Sequence, residues 1–427
     1  LDIACPAIQD PIGIRRAGRE LLSLALIDAR NRTLSRLAGL TRHDLSAAHG
    51  EFEPPAWLAG HCGWFQESWT ARHPQRGRGG EAGEISPNRL VGGIEPEADA
   101  WYDKTRSTRA MRWQPGFLGD HADPAMLLAY LVATHDITQD LLAAADEDDD
   151  GLYGYRLALL HEDRIGETLA EIAQVCGLAD APAGPGAEAR SPSVAGIGAA
   201  LSPTPVARAT RPPLAFAAQR WLLGSPPGGL VPDNEKWAHG IEVPAFEIDA
   251  QVVNWAQYAE FVVDGGYDEP RWWSAAGWTW VQATGRRSPR HVEQLGASVL
   301  LRRGGRLQRV PAAQAAVHVT AHEAAAWCAW AGRRLPTEPE WDLAVAQGGG
   351  RGLAWGDVFE WTASAARPWP GHVSGPARMD DVTSRDPRQV LRGASLFTAP
   401  RWKHPKARRF ADPASDALFC GFRSCSP

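Results

Sequence analysis

The chain of 427 residues lacks a hydrophobic run long enough to cross a bilayer. Its longest, Ala125 to Ala133, falls far short of the ~20 apolar residues a spanning helix needs. It also lacks a basic surplus. The 44 Lys and Arg against 50 Asp and Glu leave a net charge of −6, which argues against a nucleic-acid binder held by bulk charge. There is no CxxC pair: the six cysteines, Cys5, Cys62, Cys176, Cys328, Cys420 and Cys425, are scattered. That fits a reducing cytoplasm better than a disulfide framework or a zinc knuckle. The first twenty residues mix Asp2, Asp10, Arg15, Arg16 and Glu20, so no secretory signal is visible. These absences exclude a membrane protein, a disordered tail and a disulfide miniprotein. They point to a cytoplasmic protein of two or three domains.

Tryptophan, in contrast, is plentiful. There are nineteen, fourteen of them after residue 220, as expected of a loop-rich domain that fills an irregular interior with large aromatic side chains. Before residue 178 the pattern is helical. Leu22, Leu26, Ala29, Thr33, Leu37 and Leu40 recur at spacings of three and four, the period of a helix with one buried face. Pro54-Pro55 starts a second helix that runs to about Arg72. A third covers Pro124 to Ala145 and ends at the acidic run Asp146 to Asp150. That run reads as a solvated helix end rather than a cation site. A fourth spans about Leu152 to Cys176. Residues 13–177 are therefore expected to form a four-helix bundle with one long connection from 73 to 122. The interior of such a bundle can hold a metal.

Residues 178–215 are rich in Ala, Pro, Gly and Ser and read as a linker. From 216 to 427 short strands, turns, Gly and Trp predict an α+β domain. It includes a strand through Phe246, Ile248 and Val252 and helices over His318–Gly332 and Glu338–Ala346.

Two histidines stand where chemistry is plausible: His61 on the second helix and His161 on the fourth. Inward imidazoles from facing helices are how bundles build metal sites. Spacing alone is met more simply by two core histidines bonded to backbone or carboxylates. The surrounding residues add to this. His61, Trp64, Phe65 and Glu67, with His161, Glu162 and Glu167, resemble the two iron-binding helices of the sulfoxide synthases of ergothioneine biosynthesis, whose helical half is DinB-like. Gly60-His61 to Glu67 with Trp69, Arg72, Gln75 and Arg76, then Ala100-Trp101-Tyr102-Asp103 and Tyr155 to Asp163, resemble the selenoneine synthase branch of that family. The second half is similar to formylglycine-generating-enzyme-like (C-type-lectin-like) domains. The resemblance is carried by Asp233 to His239, Gly277-Trp278-Thr279-Trp280, Trp330 to Glu338, Phe359-Glu360-Trp361-Thr362, Val390 to Ser395 and Phe419 to Arg423.

The resemblance implies an oxygen-dependent, non-haem iron enzyme that joins a chalcogen donor to hercynine (trimethylhistidine). His61 and His161 would bind Fe(II), and Tyr102 would donate a proton. Arg72 and Arg76 would take substrate carboxylates or sugar hydroxyls. Arg78 and a packing role for Tyr102 stay open as alternatives. The donor would be a selenosugar in the nearer branch, or a thiol in an ergothioneine-type enzyme. Trp272, Trp273, Trp278 and Trp280 read as core, or as an aromatic wall for the trimethylammonium group. The position expected to carry a third iron-binding His holds Ile165. The cysteine pair of formylglycine-generating enzymes is missing around Ser395-Leu396-Phe397 and Arg401-Trp402, which argues against that chemistry and leaves an ergothioneine-type thiol enzyme and a metal-impaired binding protein as the rivals.

Overall fold

The apolar periodicity near the start of the chain becomes four long helices in the computed structural model. The structure describes residues 6–38, 40–73, 92–177, 205–296, 298–375, 377, 379 and 388–427. The chain divides into two units: Leu1–Pro203 with Gly228–Leu230 and Phe397–Trp402, and Thr204–Pro227 with Val231–Leu396 and Lys403–Pro427.

In unit 1 the long helices are α1 (Arg19–Leu37), α2 (Pro55–Glu67), α3 (Pro124–Ala143) and α4 (Asp149–Val175). Helix α2 continues through a π turn, Ser68–Arg72, so the second helix ends where its sequence predicts. Helix α1 packs on α4, and α2 packs on both α3 and α4. The buried face of α3 is Leu127, Leu131, Thr134, Thr138 and Leu142, a three-four spacing that turns one stripe inward. Helix starts follow capping chemistry. Asp123 accepts from Ala125 N at 2.9 Å with Pro124 behind it, and Asp148 accepts from Gly151 N at 2.7 Å. Asp149 pairs with Arg156 at 2.6 Å. The acidic run therefore starts a helix, where carboxylates meet unpaired N–H groups and the positive end of the dipole.

Among the described residues, unit 2 is built on short strands around four N-capped helices. Strands β1 (Leu214–Phe216) and β4 (Phe246–Ile248) pair, as do β2 (Gln219–Leu223) and β3 (His239–Val243). A three-stranded sheet holds β5 (Val292–Gln294), β6 (Val299–Arg303) and β7 (Arg306–Val310). The largest sheet orders β10 (Arg408–Ala411), β9 (Gln389–Gly393), β8 (Phe359–Ala365) and β11 (Cys420–Gly421), with only β8 and β11 parallel. Helices α5 (Trp255–Val263), α7 (Ala321–Trp330) and α8 (Glu338–Gly348) each open on a capping box: Asn254 with Gln257, Thr320 with Glu323, and Thr337 with Glu340. Each box satisfies two orphan N–H groups. Helix α6 (Ala275–Thr284) ends on Gly285 at φ +65, a left-handed cap that a side chain would strain.

Tryptophan fills the interior as its abundance suggests. Trp255, Trp341 and Trp361 are fully buried, and the last two donate to Glu360 (2.8 Å) and the Val319 carbonyl (2.7 Å). Trp341 joins Phe216, Phe246, Ile248 and Leu343 in one cluster. Trp273 is buried and donates to the Gly266 carbonyl, while Trp272, Trp278 and Trp280 are half-buried.

Three local expectations are corrected. The strand through Phe246 stops at Ile248, and Val252 is buried in a loop instead. The helix expected from His318 starts at Ala321, because Thr320 caps it and His318 has a left-handed φ of 62. Regular structure begins at Leu214, inside the stretch read as linker, because Leu214 and Phe216 find partners in Ile248 and Phe246. The rest of that stretch, 178–204, lies outside the described residues. No helix among the described residues is long and apolar enough to cross a membrane.

Candidate functional site

Helices α2 and α4 bring His61 and His161 together inside unit 1. Their rings meet edge to face, centroids 5.0 Å apart at 75°. Both side chains are buried. Aromatic neighbours at helical spacing fix each ring. Trp57 and Trp64, four residues before and three after His61, stack on it at 4.7 and 5.5 Å, as residues on one helix face do. Phe65 stacks on His161 at 3.9 Å.

Nδ1 of His61 lies 2.8 Å from the Tyr102 carbonyl. A carbonyl only accepts, so the proton sits on Nδ1 and the ring's lone pair is on Nε2. His161 Nδ1 is buried with no hydrogen-bond partner. Burial, then the Lys104 cation and His161, push the His61 pKa well below 6.5 against the Tyr102 carbonyl. Burial, Lys104 and Arg164 do the same to His161. Both imidazoles are held neutral, the state that binds a metal.

The segment holding Tyr102 is fastened along α2 turn by turn. Ile94 N donates to Glu67 (2.7 Å), Trp64 Nε1 to Asp99 (2.6 Å) and Trp57 Nε1 to the Trp101 carbonyl (2.8 Å). Tyr102 lies flush on Gly60, where an added Cβ would sit 2.2 Å from its ring. Tyr102 therefore reaches His61 through its carbonyl. Its phenol is buried, and burial with the Glu95 carboxylate raises its pKa well above 10. Arg72 spends both terminal nitrogens on Asp99 at 2.9 and 2.7 Å, so a substrate carboxylate would compete with one already bound. Arg76 and Arg78 lie outside the described residues.

Nothing fills the expected third position. Ile165 is buried one turn beyond His161 and offers no donor atom. Glu162 is held by Arg30 at 2.7 Å, Glu167 accepts from Thr398 at 2.7 Å, and His135 Nε2 meets Gln139 at 3.2 Å. No group of three His, Cys, Asp or Glu side chains among the described residues could hold a metal. The pair fits a metal seat of two nitrogens, since a ligand bond would satisfy the orphaned nitrogen of His161. No further side-chain ligand completes the seat among the described residues. Asp99 and Arg30 escaped the sequence reading. The visible signal for Arg30 is a charge on the apolar face of α1, four residues after Leu26.

Both units have recognisable relatives. Residues 25–176 match the DinB superfamily and residues 220–355 the sulfatase-modifying factor enzyme 1-like domain, so the chain joins a DinB-like helical domain to a domain of the formylglycine-generating class. "Hercynine oxygenase" of Mycolicibacterium smegmatis is 31% identical over 466 aligned positions, covering 95% of this chain and 98% of that protein. Its namesake from Mycobacterium tuberculosis is 29% identical, covering 95% and 98%. The chain belongs to the hercynine oxygenase family. "Formylglycine-generating enzyme" of Streptomyces coelicolor is 34% identical over 37% of this chain and 55% of that protein. At the late positions where cysteines are missing, Arg401 forks Asp163 at 2.6 and 3.0 Å and Trp402 Nε1 donates to it at 2.8 Å.

Proposed function

We propose that the protein is an oxygen-dependent oxidoreductase that binds hercynine beside an iron held by His61 and His161 and forms a carbon–selenium bond to a selenosugar. The observation that carries this reading is the buried meeting of two neutral imidazoles, one with an orphaned nitrogen. Full-length similarity to hercynine oxygenases supports the hercynine half. The selenium half rests on the motif around His61, Arg72 and Tyr102.

Ferrous iron, when bound, supplies the redox chemistry that dioxygen needs to react with a closed-shell substrate. Replacing the imidazole C–H by C–Se at the expense of a selenol releases two electrons and two protons, for which dioxygen is the acceptor. The Tyr102 carbonyl orients His61 and fixes its tautomer. The Tyr102 phenol, held protonated, serves as a donor and not as a base. Trp57, Trp64 and Phe65 keep water from the imidazoles. Arg72 acts by holding Asp99, and with it the short helix Ala98–Tyr102.

The test is anaerobic titration with ferrous iron, then oxygen uptake with hercynine and either a selenosugar or γ-glutamylcysteine. Iron-dependent uptake favouring the selenosugar supports the reading. Preference for the thiol moves the protein to the ergothioneine-type reaction, which the similarity to named hercynine oxygenases favours. Stoichiometric failure to bind iron defeats both and leaves a metal-impaired member, the reading that Ile165 favours.

A further inference from the structure

Helix α1 contributes no histidine, yet it sends one charged side chain into the centre of the bundle. Arg30 is buried, and its guanidinium touches each of the other three long helices. Nε and Nη2 fork Glu162 on α4 at 2.7 and 3.2 Å. Nη2 also donates to Gln66 Oε1 on α2. Nη1 donates to the Leu131 carbonyl and lies 3.5 Å from Thr134 Oγ1, both on α3. Five donors in a rigid plane thus meet three helices at once, which an ammonium on a flexible stem does not reproduce.

Two of these contacts bear on the histidines. Glu162 follows His161 directly. Gln66 lies five residues after His61 on the same helix, and its amide nitrogen is buried without a partner, so Arg30 is the polar tie on that side chain. A buried ion pair is a poor way to stabilise a core, because apolar residues of similar volume often do as well or better. What it does supply is register, since a fork accepts one arrangement of its partners. We infer that Arg30 is the positioning residue that sets the distance and angle between His61 and His161. The purpose of that placement rests on the two-histidine metal reading above.

The test pairs Arg30→Met with Glu162→Leu, which removes both charges together and leaves none stranded. Crystal structures without metal, thermal melts and anaerobic ferrous-iron titrations are compared with the unmodified chain. The expected result is a folded protein whose ring separation departs from 5.0 Å by about 1 Å or more, a shift of the size that disables reacting groups elsewhere. Iron affinity should fall by about 10-fold or more, as when the residues supporting a ligand are lost. Arg30→Lys, which keeps the charge and loses the fork, should not restore either value. An unchanged ring pair with unchanged affinity in the folded double variant overturns the inference.

Should the double variant not fold, Gln66→Leu carries the test. It cuts α2 from the guanidinium while leaving the Arg30–Glu162 pair intact. A displaced His61 ring supports the inference, and an unmoved one overturns it. If the unmodified protein binds no iron, the metal reading fails alone, and the metal-free ring separations still decide the role of Arg30.

Discussion

His61 and His161 in unit 1 meet at 5.0 Å and 75°, while His291 and His318 in unit 2 meet at 5.0 Å and 77°. In each pair one Nδ1 is engaged by a backbone carbonyl, Tyr102 in the first and Asp416 in the second (3.1 Å). In each pair the other ring has a buried nitrogen without a partner, Nδ1 of His161 and Nε2 of His291. Ring geometry therefore does not by itself define a metal seat. The difference lies in what surrounds the rings. The first pair stands on helices, walled by Trp57, Trp64 and Phe65. The second stands on loops with both backbones left-handed, φ 66 and 62, beside Arg286 and Arg290, which share Asp416 at 2.6 and 2.7 Å. Cations stand near both pairs, Lys104 and Arg164 by the first and Arg290 and Arg286 by the second, so charge does not separate them; the loop backbone does, and the second pair reads as a folded-in turn.

The comparison breaks most easily on metal binding. His61→Ala or His161→Ala should lower ferrous-iron affinity by at least about 100-fold, beyond the 10–100-fold that supporting residues command. His291→Asn should leave the stoichiometry unchanged. Titration monitored by metal analysis checks both, and equal losses in the two units would erase the distinction. Ile165→His sharpens it: a third imidazole at i+4 from His161 lies on the same helix face. It should raise iron affinity by about 10-fold or more, on the same scale.

Gly60→Ala comes next. Its Cβ would enter the Tyr102 ring, so it should cost about 1–3 kcal/mol in a denaturant melt and weaken iron binding by pulling the Tyr102 carbonyl off His61. The smallest effect concerns pH. Burial, then His291, pushes His318 down to about 3 from its ordinary 6.5. A depressed imidazole gives stability that is complete above 6.5 and lost as pH falls, because the unfolded chain takes the proton first. His318→Asn, which tolerates a left-handed φ, should flatten the acid loss below pH 6.5 by about 1 kcal/mol per pH unit. Urea melts at stepped pH would show this as a smaller loss between pH 8 and pH 4 than in the unmodified chain, whatever the offset at pH 8.

The bundle was legible because its stripes are local. Leu22, Leu26, Ala29 and Thr33 repeat within one helix, and Pro54-Pro55 and Asp148 mark helix starts by chemistry that needs no distant partner. His61 and His161 could be picked out for a different reason: each sits in a local run, such as Trp64-Phe65 or Glu162, that resembles a family motif. Arg30 and Asp99 were not, because their meaning is supplied by partners far along the chain. Arg30 answers Glu162, and Asp99 answers Trp64 and Arg72, 35 and 27 positions away. A lone charge on an apolar face looks the same in sequence whether it is solvated, paired or an error of register. Val252 and His318 misled for the opposite reason, since an apolar or helix-compatible neighbour was extended past the cap or turn that ends the element.

The π turn at Ser68–Arg72 forms the end of the α2 helix. A π turn holds one residue more than an α turn, and one residue of α-helix is about 100° of rotation. Losing one residue between 68 and 71 would turn Arg72 around the axis by about that angle and away from Asp99, while His61 upstream kept its bearing.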